Sequence, residues 1–255
     1  MRNATAMATA TMIFATIAAE SRATAAEAPF SAEGTRAEIQ IGLCAPPDQI
    51  VHKLDARPRG DPIKVWHFDD TRLTLAARGL RLRLRVAADG RSEITLKVTN
   101  QDCGQVDSKL VPPGEGKCEY DVYGTNVAGV VSLTRRLGEK STNDLIAGRV
   151  TPGQVLSQSQ IRYLREVVGI WPLPSGIGSL GPMQVQIFRT KDKHYEIDIS
   201  KLPGGEQYGE ISRKVPFADV TRTKAAMTAY VERAGIEMCA DQSSQAANKL
   251  RYLLH

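Results

Sequence analysis

Between Gly79 and Val86 the chain alternates leucine with arginine: Leu80-Arg81-Leu82-Arg83-Leu84-Arg85. A period of two sends the leucines to one face of a β-strand and the arginines to the other. Three guanidinium groups in a row on an open sheet face repel one another and gain little from exposed ion pairs. They make better sense around a multiply charged anion, because the arginine fork matches phosphate oxygens. Whatever this chain folds into must bury the leucine face and give the arginine face an anion.

The same alternation recurs along the chain. Glu38 and Gln40, with Gly42 next, share a face of one segment; Thr95 and Lys97 share a face of another. Lys117, Glu119 and Asp121 follow, then Glu196 and Asp198, then Glu210, Ser212 and Lys214. Opposite them run Ile94-x-Leu96-x-Val98 and Ile197-x-Ile199. For any single strand this is what a one-sided, solvated sheet shows. Taken together, the segments suit a closed barrel with a polar lumen whose aliphatic faces pack outward against helices. Carboxylates on such strands suit Mg²⁺ or Mn²⁺, hard ions that take oxygen ligands and bridge phosphates. Aromatic residues make up only 5% of the chain, so the packed faces must be aliphatic.

Strands are expected over 38–43, 79–86, 93–98, 117–123, 183–188, 194–199 and 208–215, with Asp89-Gly90 as a hairpin turn. Helices are expected over 48–54, 126–137, 157–168 and 243–254, and from Asp219 through Ala234 with Gly235 as the stop. The fold class is α+β: a mainly antiparallel barrel of about eight strands with helices outside.

These segments, in order, resemble the CYTH superfamily, the triphosphate tunnel metalloenzymes. This group includes class IV adenylyl cyclases, thiamine triphosphatases and inorganic triphosphatases. The resemblance spans roughly 36–252. It rests on His67-Phe68-Asp69-Asp70-Thr71, the Arg78-Gly79-Leu80-Arg81 to Arg85 strand, and Thr95-Leu96-Lys97. Lys117-Cys118-Glu119-Tyr120-Asp121, Leu156 to Gln160, Tyr195 to Asp198, Gly209 to Ser212 and Asn248-Lys249-Leu250 extend it.

The resemblance implies metal-assisted chemistry on a triphosphate. Arg81, Arg83, Arg85, Lys97, Lys117, Arg189 and Lys214 would hold the phosphates, although Arg189 differs in parity from Gln184 and Gln186. Mg²⁺ or Mn²⁺ would lie on Glu38, Asp198 and Glu210, with Glu38 and Glu210 catalytic and Glu119, Asp121 and Glu196 as additional acids. The family's first-strand pattern is E-x-E-x-K, whereas this chain reads Glu38-Ile39-Gln40-Ile41-Gly42, so one acid and the lysine are missing. The late E-x-E reads Glu210-Ile211-Ser212 and lacks its second acid. A weakened metal site follows, and Lys214, on the face of Glu210 and Ser212, is a candidate to replace the lost cation. Three readings remain open: a metal-dependent triphosphatase or other triphosphate-acting enzyme, a non-catalytic binder of small phosphate polyanions, and a structural protein with a solvated sheet.

Residues 1–25 carry a positive start, a small apolar-leaning run and Ala23-Thr24-Ala25, a secretory leader pattern. A plain Ala/Thr tail is the alternative. With the leader, residues 26–255 form one domain destined for the periplasm or the outside. The four cysteines, Cys44, Cys103, Cys118 and Cys239, contain no CxxC pair, and an even count in an exported chain points to disulfides. Cys103 and Cys118 flank one polar loop and pair best, leaving Cys44 with Cys239; four buried thiols are the alternative.

Other chemistries find little support. No stretch approaches the ~20 apolar residues of a membrane span. The four histidines have no metal-ligand spacing, and neither a GxSxG elbow nor a Walker loop is present. Ser175 to Ser179 reads as a loop. The basic residues alternate on strands instead of forming an exposed run with aromatics, which argues against nucleic acid. A net charge of +5 is too small to say more.

Overall fold

The computed structural model describes residues 35–242 together with 250, 253 and 254. The leader reading at 1–25 and most of the helix expected over 243–254 lie outside the described residues. Among the described residues there are ten strands: β1 (Arg36–Leu43), β2 (Ala56–Pro58), β3 (Ile63–Asp69), β4 (Leu80–Val86), β5 (Ser92–Thr99), β6 (Gly116–Tyr123), β7 (Asn126–Leu137), β8 (Gly178–Thr190), β9 (Glu196–Lys201) and β10 (Gln207–Pro216). Nine of them close a barrel in the order β8-β3-β4-β5-β7-β6-β1-β10-β9, with β9 pairing back onto β8. β2 adds to β8 from outside. Every pairing in the barrel is antiparallel except β1 with β6.

The alternating pattern explains this closure. Leu80, Leu82 and Leu84 of β4 pack outward with Ile94, Leu96 and Val98 of β5 and Val131 and Leu133 of β7. Three short helices cover this face: α3 (Glu139–Ile146), α4 (Pro152–Val155) and α5 (Gln158–Tyr163), following α1 (Pro47–Lys53) and α2 (Thr74–Ala77) in the chain. Leu145, Val155, Leu156, Tyr163 and Leu164 supply their side of the contact. On the far side Ile39, Ile41, Ile197, Ile199 and Ile211 pack against Ile50 of α1 and against Met227 and Val231 of α6 (Val220–Arg233). Each such side chain contributes about 1.5–3 kcal/mol when fully buried. Most of the hydrophobic core therefore lies in two outer layers, and the strands' other faces are left to line a lumen.

One buried amide fixes the helical layer to the barrel. Gln160 is 0% exposed. Its Nε2 donates to the carbonyls of Ile94 and Leu133 at 3.2 and 2.9 Å, and its Oε1 accepts from the Ser157 backbone N–H at 2.8 Å. Ser157 returns a bond to the Gln160 N–H, a capping box that starts α5.

Residues 126–137, expected as a helix, form strand β7, paired with β5 on one side and β6 on the other. Val127, Val130, Val131 and Thr134 are β-branched and fit the pleated sheet. At Gly129 a Cβ would lie 1.8 Å from the Gln101 carbonyl oxygen, so the loop crosses the strand where no side chain exists. The helices expected over 48–54, 157–168 and 219–234 appear within a residue or two, the second ending in a π-helical turn at Leu164–Val168. β3 was not expected, and β8 begins at Gly178, inside the segment read as a loop.

Both expected disulfides form. Cys44–Cys239 joins the end of β1 to the segment after α6, with Cα atoms 4.9 Å apart. Cys103–Cys118 ties the 100–115 loop to β6, with Cα atoms 5.4 Å apart. Such bonds persist in oxidising, extracytoplasmic compartments. Among the described residues, no helix is long and apolar enough to cross a membrane.

Candidate functional site

The inward faces of the strands meet in two adjoining cavities. Arg83, Arg85, Lys97, Asp121, Ile187, Asp198 and Glu210 line both. The sequence pattern therefore gathers its polar faces as expected, but they differ in how their charges are met.

On the β4–β5 wall cations outnumber acids. Arg81 faces Lys97 directly across the ladder, and Arg83 faces Thr95. Like charges opposite each other destabilise a sheet. Asp121 of β6, only 5% exposed, relieves one pair: its carboxylate lies 3.8 Å from both the Arg81 guanidinium and the Lys97 ammonium. Arg85 has Glu93 at 3.7 Å. The Nε atoms of Arg83 and Arg85 are buried without a hydrogen-bond partner. Burial, with Arg85 and Arg81 on either side, pushes the Arg83 guanidinium well below the ordinary arginine range. Burial likewise brings Lys97 down to about 8; Asp121 opposes this, while Arg83 and Arg81 add to it.

The opposite wall is internally paired. Register places Glu38 of β1 across from Lys214 of β10, Gln40 from Ser212 and Gly42 from Glu210. The Lys214 ammonium lies 3.5 Å from Glu38 and 3.1 Å from Glu119 of β6. Glu119 also takes a hydrogen bond from Lys117. Burial works against the Lys214 charge, but Glu38 and Glu119 outweigh it and raise its pKa. Burial raises the Glu119 carboxyl, and Lys117 and Lys214 more than reverse this, leaving it lowered. On β9, Asp198 faces Glu210 and Glu196 faces Ser212. Glu196 is held by Arg59 at 2.6 Å and Arg189 at 3.4 Å, near the β8–β9 turn.

The donor set does not fit a metal site of the kind the sequence suggested. Of the three expected ligands, Glu38 is bridged to an ammonium, which leaves Asp198 and Glu210 as a facing pair. Glu119 and Asp121 are likewise engaged by cations. Among the described residues, no group of three His, Cys, Asp or Glu side chains is placed to hold an ion.

Two features escaped the sequence reading. The inward face of β8 is Met183, Val185 and Ile187, not Gln184 and Gln186, so Arg189 shares the inward parity after all. With Ile63 and Val65 of β3 these residues form an apolar wall beside His67. β3 hid this because Trp66 and Phe68 on its outer face interleave with Val65 and His67 of the inner face, so polar and apolar residues do not alternate. Asp69 and Asp70, part of the motif that carried the family resemblance, bind backbone N–H groups of the turn into α2 and do not face the lumen cations. The Thr74 hydroxyl bond holds the Asp70 carboxyl below its ordinary value.

No family model matches the chain, and no curated protein matches it. Solved structures share its fold. A Hippeastrum protein assigned as an adenylyl cyclase, and described as having a dominant triphosphatase activity, aligns at 17% identity with a TM-score of 0.55. The match covers 84% of this chain and 94% of that one. A Bacillus halodurans protein assigned as an adenylate cyclase aligns at 12% identity with a TM-score of 0.53, covering 84% and 97%. The common element is the fold, a closed β-barrel.

Proposed function

We propose that this chain is an exported protein whose tunnel binds a small polyphosphate anion on the β4–β5 wall. The observation that carries the reading is the half-buried guanidinium row, in which the Nε–H donors of Arg83 and Arg85 are buried without a protein acceptor. A buried, unsatisfied charged donor is costly, and a polyphosphate supplies the missing acceptors in a fork geometry. Arg81 and Lys97 complete the row, and Lys117, Lys214 and Arg189 add positive charge around it. The secretory leader pattern and the two disulfides support export, with residues 26–255 as the mature domain. Outside the cytoplasm, inorganic polyphosphate or another phosphorylated metabolite is the expected ligand class.

Binding is favoured over hydrolysis because the acids that would hold Mg²⁺ or Mn²⁺ are largely engaged by the protein's own cations. The test is thermal unfolding of oxidised protein lacking residues 1–25, with and without tripolyphosphate. A ligand at 100 times its Kd stabilises by about 2.7 kcal/mol. Stabilisation without phosphate release is the expected result. Metal-dependent phosphate release that disappears in Glu210→Ala would establish the triphosphatase reading instead, and no response of either kind would reject both.

A further inference from the structure

We propose that Lys214 is a built-in cation that takes the place of a divalent metal on the acidic wall, so that the tunnel binds polyphosphate without metal. This rests on the polyphosphate-binding reading above and specifies how that site meets its charge requirement.

Three independent observations converge on Lys214. The first is register: Lys214 is directly opposite Glu38 on the β1–β10 ladder, so the backbone itself brings the ammonium to the carboxylate. The second is bridging: one ammonium lies within 3.5 Å of Glu38 and 3.1 Å of Glu119, which come from two different strands. Gathering carboxylates from several strands is the task of an ion in the lumen, and here a side chain does it. An ammonium has three N–H donors, so two carboxylates leave one for a phosphate oxygen in the shared cavity with Arg83, Arg85 and Lys97. The third is the neutral pair Gln40 and Ser212, which also face each other across this ladder. Carboxylates there would surround a single ammonium with excess negative charge; an amide and a hydroxyl do not.

A single positive charge in place of two makes sense only with fewer acids around it. Gln40, Ser212 and Lys214 thus form one coherent set. The expected consequence is a tunnel whose affinity for polyphosphate is indifferent to chelators. It follows also that removing the ammonium leaves Glu38 open to a divalent ion in solution and Glu119 with Lys117 alone.

The experiment uses the oxidised mature chain and two readouts. Calorimetric titration with tripolyphosphate is run in EDTA and in Mn²⁺, and Mn²⁺ alone is titrated by EPR. Wild-type affinity for tripolyphosphate should agree within about threefold between EDTA and Mn²⁺, and Mn²⁺ alone should bind weakly. Lys214→Gln should lose about tenfold in EDTA and recover in Mn²⁺, while gaining affinity for Mn²⁺ alone. Lys214→Arg, which keeps the cation, should retain chelator-insensitive binding, separating charge from packing.

Tripolyphosphate binding by wild type only in the presence of Mn²⁺ would overturn the proposal. So would Mn²⁺ binding that is the same in wild type and Lys214→Gln. If tripolyphosphate binds under neither condition, the polyphosphate reading fails, and the Mn²⁺ titration alone then decides the part assigned to Lys214.

Discussion

The β4–β5 wall and the β1–β6–β10 wall of the tunnel are built from the same alternating pattern, yet they treat charge in opposite ways. On the first, Arg81, Arg83, Arg85 and Lys97 share Asp121 and Glu93, and two buried guanidinium N–H groups find no acceptor. On the second, Lys117 and Lys214 neutralise Glu119 and Glu38 at hydrogen-bonding or near-bonding distance. The first wall is costly to bury and keeps donors for which the protein supplies no acceptor. The second completes itself. Net charge conceals this difference, because a near-balanced total is compatible with one unsatisfied wall and one satisfied wall.

Removing the unsatisfied charges should have the largest effect. The double variant Arg83→Ala, Arg85→Ala should lower tripolyphosphate affinity by about 100-fold or more, measured by calorimetry. The same variant without ligand should unfold at an equal or higher temperature than wild type, because buried charge without a full partner set opposes folding. A marked loss of stability in the unliganded variant would break the contrast.

Lys97 gives a smaller, pH-dependent effect. Its ammonium must be protonated to hold an anion, and its pKa in the folded protein is about 8. Tripolyphosphate affinity should fall as pH rises through about 8, by at most tenfold per unit for one proton. Stability without ligand should change in the opposite sense. The folded protein binds fewer protons than the unfolded chain between about 8 and the ordinary value of 10.5, so the contribution of Lys97 rises with pH across that window. A flat affinity profile between pH 7 and 9 would show that Lys97 does not touch the ligand.

Breaking the self-satisfied wall should have the smallest effect and the reverse sign. Lys214→Gln leaves Glu38 and Glu119 without their shared cation. The pairs are partly solvated, so the loss should be only about 1 kcal/mol by chemical denaturation. If this variant were as stable as wild type or more so, the two walls would not differ as described.

Much of the barrel was legible because period-2 alternation reports the two faces of a strand directly. The arginine row, the Thr95-Lys97 strand and the acids of β6, β9 and β10 all lie where that pattern puts them. It failed where both faces are apolar or where apolar residues alternate irregularly. β3 carries apolar residues on both faces, Val65 inward and Trp66 and Phe68 outward, and its inward side is set only by its partners β4 and β8. On β8 the glutamines looked like the inward face, but the lumen there is apolar, and Met183, Val185 and Ile187 face inward. The helix expected over 126–137 gave way to β7 because two neighbouring strands needed a partner between them, which no local propensity reveals. The partnership of Lys214 with Glu38 depends on register between segments about 170 residues apart, so sequence could suggest the lysine as a replacement cation but not its place.

The most direct measurement is a calorimetric titration of tripolyphosphate into the oxidised mature protein at pH 7 in EDTA, alongside the Arg83→Ala, Arg85→Ala variant. The tunnel described here predicts saturable binding at one site per chain, lost in the variant. Equal binding by both proteins, or none by wild type with or without Mn²⁺, would contradict it.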